Sequence, residues 1–242
     1  MPSAAFVFGL KMLHWPCYFR FLANLNKPIA AQDLVLSQIV TCLSNTKYGL
    51  LFNINRRDPY PELIQKLPLV SYEKLKHWIL RQQNSLSDLL VNESVIRYEL
   101  IKDNSIVPYT KSLIRSFYQS FSIQLVSTPQ EELDLDGCLN YYRSYCSGGT
   151  SSFPFQAAPY FVEGPLFVKI KGSPGLLPLV SEVFFEFQSA SKSILRLHEV
   201  CEGDTYELVI TQKSGLYRYR TGIRVRVGAL FRKTPTFEVL EC

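Results

Sequence analysis

Apolar residues keep a helical spacing in the first half of this chain and a strand-like spacing in the second, and that change of period limits the folds open to it. Leu36, Ile39, Val40 and Leu43 repeat at i, i+3, i+4 and i+7, which predicts a helix from about Gln32 to Ser44. Asn45 and the Tyr48-Gly49 pair offer left-handed backbone positions to end it. Pro59, Pro61 and Pro68 punctuate a loop-rich stretch with one short helix around Glu62 to Gln65. A second amphipathic helix follows Ser71, a good N-cap, with Tyr72, Leu75 and Ile79 facing inward. A third opens at Thr110, where Leu113, Phe117 and Phe121 sit four apart, flanked by Ile114 and Tyr118. Trp15 and Trp78 are expected to cover core edges.

From Tyr141 to Pro165 the chain is rich in Ser, Gly, Pro and aromatics, without a period, and reads as mostly loop. Strands are then expected at Phe167–Ile170, Val183–Phe187, Tyr206–Thr211, Leu216–Arg220 and Arg224–Val227. Helices followed by strands imply an α+β, mixed architecture: a helical part over about 1–145 and a strand-rich part over about 160–242.

With 47% hydrophobic residues the chain has enough apolar surface to fold, which excludes a disordered polypeptide. No apolar run reaches the roughly eighteen residues of a membrane span. The net charge of +5 is too mild to mark a nucleic-acid binder. Six cysteines without a CxxC pair and three histidines give no metal-ligand spacing, so reduced thiols are expected and no metal site. The apolar run Ala4–Leu10 has no basic residue ahead of it, the wrong order for a secretory signal, so a cytoplasmic location is expected.

Leu216–Arg220 and Arg224–Val227 read as a hairpin. A three-residue loop at Thr221-Gly222-Ile223 puts Tyr217, Tyr219, Val225 and Val227 on one face and Arg218, Arg220, Arg224 and Arg226 on the other. A two-residue turn at Thr221-Gly222 would mix the faces. Aligned guanidinium groups repel unless carboxylates or a bound anion answer them, and a solvated or carboxylate-paired face is a simpler reading than a phosphate-facing one.

In this region Phe184-Phe185-Glu186-Phe187, Leu197-His198-Glu199, Tyr206–Lys213 and Gly215–Gly222 resemble the auxin-responsive acyl-acid–amido synthetases, most of all their bacterial branch. Asn45–Gly49, Leu67–Glu73, Val95–Glu99 and Pro108–Leu113 fall in the same family order. The resemblance implies the large domain of luciferase-like adenylate-forming enzymes. Its members use ATP and magnesium to activate a carboxylic acid and pass the acyl group to an amino acid. It further implies three nucleotide motifs, each altered in this sequence.

The small-residue phosphate loop corresponds to Leu100–Val107, which has no glycine, and Ser105 stands at the family lysine's offset although Lys102 lies near. Ser147–Ser151 is only superficially similar and reads as a turn. Lys171-Gly172 remains from the second motif, but only Ser173-Pro174 separates it from Gly175, and neither Glu182 nor Glu186 takes the place of the acidic residue. In the third, Tyr219-Arg220-Thr221-Gly222 is followed by Ile223 where the family has a ribose-binding Asp. The weak nucleotide-site remnants are therefore Tyr219, Arg220, Gly222, Lys171 and Gly172. The family's C-terminal domain is expected to be absent.

The expected protein is thus one partial adenylate-forming domain, non-catalytic, with no bound cofactor. An active minimal acid–amino acid ligase and the product of a decayed or mis-joined gene are the alternatives. Loss of internal segments would leave apolar helix faces uncovered and favour self-association.

Overall fold

The computed structural model describes residues 4–84, 88–101, 105–129, 132–134, 136–138, 140 and 163–241. The stretch expected to be loop, Tyr141–Pro165, lies mostly outside these residues, as does Ser147–Ser151.

Among the described residues the first half is mostly α1 (Ala4–Leu25), α2 (Pro28–Leu43), α3 (Lys47–Leu51), α4 (Tyr60–Lys66), α5 (Tyr72–Gln83) and α6 (Lys111–Ser127). A hairpin of β1 (Val95–Ile101) and β2 (Ser105–Thr110) precedes α6. The second half holds β3 (Phe167–Val168), β4 (Leu177–Pro178), β5 (Phe184–Gln188), β6 (Ile194–Arg196), β7 (Thr205–Thr211), β8 (Tyr219–Phe231) and β9 (Thr234–Glu241). Strands β5 to β9 form one antiparallel sheet in the order β6-β5-β7-β8-β9. The mixed α and β architecture is the one the sequence implies.

The helices with a clear stripe form as expected. In α2 the residues Leu36, Ile39, Val40 and Leu43 are buried, and the helix starts earlier than Gln32 because Pro28 is pre-set for a first-turn position. Leu75 and Ile79 are the buried anchors of α5, although Ser71 makes no side-chain cap bond. Thr110 does cap α6, its hydroxyl accepting from the Leu113 N–H. Trp78 packs partly buried against the core, and His198 is exposed on the surface.

Two expectations need correction, and several elements are ones the sequence reading does not include. Tyr48-Gly49 does not terminate α2 in a left-handed turn; both residues lie in α3, capped by Thr46, whose hydroxyl accepts from the Gly49 N–H at 2.9 Å. Glycine is needed there for space: a Cβ at position 49 would fall 2.0 Å from the Leu43 carbonyl oxygen. The apolar run at the N-terminus belongs to α1, a helix of 22 residues that continues through Pro16. The segments on either side of Thr221-Gly222-Ile223 are not two strands of a hairpin. They belong to β8 and the residues before it, and the true hairpin joins β7 to β8 through a turn closed by Gln212 N–H donating to the Leu216 carbonyl. Strands β1, β2 and β9 were not expected at all.

One hydrophobic cluster joins the two halves of the chain. It takes Phe21, Leu25, Ile39, Leu43, Leu63 and Leu75 from the helices, Phe167, Phe185, Phe187, Leu208 and Phe237 from the strands, and Tyr217 from the turn between β7 and β8. Gln32 fastens α2 to the sheet: its amide nitrogen donates to the Val180 and Val183 carbonyls at 2.9 and 2.7 Å, and its oxygen accepts from the Phe185 N–H at 2.8 Å. All of these groups are buried, so removing the amide leaves donors and acceptors without water to replace it. Gln32→Leu is expected to lower stability by about 3 kcal/mol in urea unfolding. A loss within the ordinary scatter of a surface substitution would show that these bonds do not hold the helix.

Candidate functional site

Three of the residues that match nucleotide motifs, Tyr219, Arg220 and Gly222, lie at the start of β8, and Arg218 sets how that strand begins. Its backbone is left-handed, with φ of 46°, which turns the side chain inward. The guanidinium donates from Nε to both Glu186 oxygens at 3.2 and 3.1 Å and from Nη2 to Oε1 at 3.0 Å. From Nη1 it donates to the Leu67 and Ile64 carbonyls at 2.8 and 3.3 Å. Tyr60 donates its hydroxyl to Glu186 Oε1 at 2.9 Å, and burial followed by the Glu186 charge pushes its pKa up. A buried pair this completely answered is a tether between β5, α4 and β8.

Arg218 therefore does not share a face with the other three arginines. Arg220, Arg224 and Arg226 are exposed, while Tyr219, Ile223, Val225 and Val227 point inward. Arg220 grips Glu207 through two bonds of 3.0 and 2.7 Å, Arg226 meets Glu238 at 2.9 Å, and Arg224 lies opposite Glu207 and Glu241 in the ladder. Carboxylates pair with Arg220 and Arg226 on this exposed face, in line with the solvated or carboxylate-paired reading. Between Glu207↔Arg224 and Val209↔Arg220, β8 carries two more residues than β7, and Gly222 (φ 75°) sits in that bulge with open space where a Cβ would be.

The five motif remnants fall in two places. Tyr219 and Arg220 leave β8 on opposite sides, with Gly222 beside them. Lys171 and Gly172 occupy an exposed turn between β3 and β4. That turn is closed on itself: Ser173 Oγ lies 2.9 Å from the Ile170 carbonyl and 2.8 Å from that of Gly175, and Lys169 Nζ donates to the Ser173 carbonyl at 2.8 Å. It continues into a bridge between Leu176 and Phe237 of β9, whereas the start of β8 is bonded to β7 and Val70.

The interval Leu100–Val107 lies in the β1–β2 hairpin, with Glu99↔Val107, Leu100↔Ile106 and Ile101↔Ser105 in register. Residues 102–104, including Lys102, lie outside the described set. At Ile106 both backbone groups are taken by one tyrosine: the N–H donates to Tyr72 Oη at 2.5 Å and the carbonyl accepts from it at 3.2 Å. Ile223, at the ribose-acid position, is 3% exposed and part of the main core. Of the two acids near the second motif, Glu186 is held by Arg218 and Glu182 lies 3.4 Å from Arg115 Nε. Among the described residues no cluster of His, Cys, Asp and Glu could hold a metal ion.

One acid on this side escaped the sequence reading. Glu163 is buried against Tyr219, with which it shares a hydrogen bond, and burial pushes its carboxyl up to about 7 against the smaller opposing effect of its hydrogen bonds. Its only signal in sequence is a turn-like Glu163-Gly164-Pro165. Because the folded-state value lies above the ordinary 4.5, the stability gained from holding the acid protonated is full below about pH 4.5 and gone above about 7. Glu163→Gln should therefore gain on the parent by up to about 3 kcal/mol as pH rises across that window. Urea unfolding at pH 4.5, 6 and 7.5 measures the difference, and a flat one would rule out the buried acid.

The GH3 family N-terminal domain matches residues 18–134, and the GH3 family central domain matches residues 176–241. The solved structure of GH3.15 acyl acid amido synthetase has a TM-score of 0.69 at 15% identity, over 90% of this chain and 69% of that one. AtGH3.15 acyl acid amido synthetase in complex with 2,4-DB has a TM-score of 0.70 at 14% identity, over 93% and 70%. No curated protein matches the sequence. At such identities the structural likeness speaks for the fold, while the two domain matches cover well over half the chain and run in family order. The chain belongs to the GH3 family.

Proposed function

We propose that this protein is a non-catalytic, shortened form of an acyl-acid–amido synthetase, a pseudoenzyme of the bacterial-type branch that binds neither ATP nor magnesium. It is read as one partial adenylate-forming domain, with a helical part over about 1–145 and a strand-rich part over about 160–242. A shared hydrophobic cluster that draws on both halves supports the single domain.

The observation that carries the reading is that the nucleotide intervals are closed by the chain's own groups. The phosphate-loop interval forms a paired hairpin with Tyr72 on Ile106. The second-motif interval is a self-bonded turn without a carboxylate, and the ribose acid is replaced by a core isoleucine. An adenylating enzyme must cradle a triphosphate, steady a metal and fix a sugar in a set geometry. The residues present do not fit those groups, and no step of adenylation is assigned to them. Tyr219, Arg220 and Gly222, with Lys171 and Gly172, remain as structural vestiges of the site.

The family's carboxylic acid and amino acid are accordingly not substrates of this chain. A cytoplasmic location is supported by free thiols at Cys17, Cys42, Cys138 and Cys201. No helix among the described residues is long and apolar enough to cross a membrane.

The purified protein, offered ATP, magnesium and a panel of carboxylic acids, is expected to give no carboxylate-dependent pyrophosphate exchange above a no-enzyme blank. Exchange that follows the acid and saturates with ATP would restore the alternative, a minimal active ligase.

A further inference from the structure

We propose that the outer face of α1 pairs with the same face of a second copy of this chain, giving an antiparallel, two-fold symmetric dimer. The inner face of α1 is already committed. Val7, His14, Phe21 and Leu25 are buried, His14 packs its ring on Tyr118 and Phe121 of α6, and its Nδ1 lies 2.8 Å from Ser122 Oγ. A helix buried on one side ordinarily turns polar residues outward. This one does not: Phe8 is 62% exposed, Met12 43%, Trp15 38% and Phe19 56%.

The spacing of these four selects the partner. Steps of four, three and four residues are the d-a-d-a spacing of a seam between two helices. In an antiparallel pair centred between Leu13 and His14, Phe8 meets the second copy's Phe19 and Met12 meets its Trp15. Symmetry then repeats both layers, as an isologous contact requires. Each layer is chemically good: two aromatic rings in one, and a thioether against an indole in the other.

Charge places no obstacle in the way. The only charged residues of α1 are Lys11 and Arg20. Lys11 Nζ is drawn back to the Thr128 carbonyl at the end of α6. The two Arg20 side chains would stand about 20 Å apart along the paired axes, beyond the screening length at physiological salt. The exposed area sets the strength of the contact. Four large side chains at about half exposure offer about 400 Å² per copy, about 800 Å² for the pair, the size of a weak, concentration-dependent interface. A lipid surface is a poorer fit, because a membrane-lying helix borders its apolar face with many basic residues.

Sedimentation equilibrium at tens of micromolar should give about twice the 27.8 kDa chain mass. Phe8→Glu and Phe19→Lys should each halve that mass with unchanged far-UV circular dichroism. Mixing these two variants should restore the dimer, since each mixed pair has one Glu–Lys layer and one Phe–Phe layer. A monomeric parent, a dimer that survives both substitutions, or no recovery on mixing would overturn the proposal. So would a monomer that co-sediments with phosphatidylcholine vesicles. Should a charged variant lose its helical signal, Phe8→Cys combined with Phe19→Cys decides the matter. Within one helix those sites are about 16 Å apart, too far for a disulfide, so an oxidised 8–19 peptide link found by mass spectrometry supports the pairing and its absence overturns it.

Discussion

The Arg218–Glu186 pair decides how the two halves of this molecule meet. Bringing two charges out of water costs several kcal/mol each, and the contact is tolerable only when the remaining hydrogen-bonding capacity is answered as well. Here it is: three guanidinium bonds to the carboxylate, two to the Ile64 and Leu67 carbonyls, and one from Tyr60 to the carboxylate. The carbonyls belong to α4 and the turn after it, so the end of a helix is satisfied by the residue just before β8. The backbone follows the side chains, since Val70 N–H donates to the Arg218 carbonyl and Arg220 N–H to the Val70 carbonyl. A left-handed backbone at Arg218 costs roughly 1 kcal/mol or more, and this set of bonds is what offsets it.

From that tether the arrangement of the nucleotide-motif residues follows. Once Arg218 points inward, Tyr219 enters the core side against Glu163 and Arg220 leaves toward Glu207. The bulge at Gly222 adds an even number of residues, so inward and outward positions keep their parity along β8 and Ile223, Val225 and Val227 all reach the core. Tyr219, Arg220 and Ile223 thus each have a packing or pairing partner within the chain.

Much of the helical half was legible because α2, α5 and α6 have one apolar face and one wet one, and spacing reveals that contrast. Helix α1 was illegible for the opposite reason: with apolar residues all round, it has no contrast to read. The error at Thr221-Gly222 has an equally physical source. Thr-Gly between two alternating runs signals a turn, but a two-residue bulge leaves the same alternation on both sides, and only pairing with β7 tells the two apart. Strand β9 hid behind Pro235, a residue that argues against a strand unless the strand lies at a sheet edge, where β9 is found. Around the site, Tyr219, Arg220 and Gly222 could be named from a motif string. Glu163, Tyr60 and Tyr72 could not, because their roles come from contacts more than thirty residues away in the chain.

These cases bear on what a surviving motif string means. A residue persists if either its chemistry or its packing is needed, and the letters alone do not separate the two. Position 223 does separate them. An aspartate that grips a ribose must stand where solvent or ligand can answer its charge, whereas this position is enclosed among Tyr206, Val225 and the rest of the core cluster. An isoleucine there adds to the apolar interior, and a bare carboxylate would be penalised by several kcal/mol. The same logic governs the phosphate interval, where strand pairing and Tyr72 satisfy backbone groups that would otherwise need an anion or water. In both places the chain's own groups satisfy the local packing and hydrogen bonding.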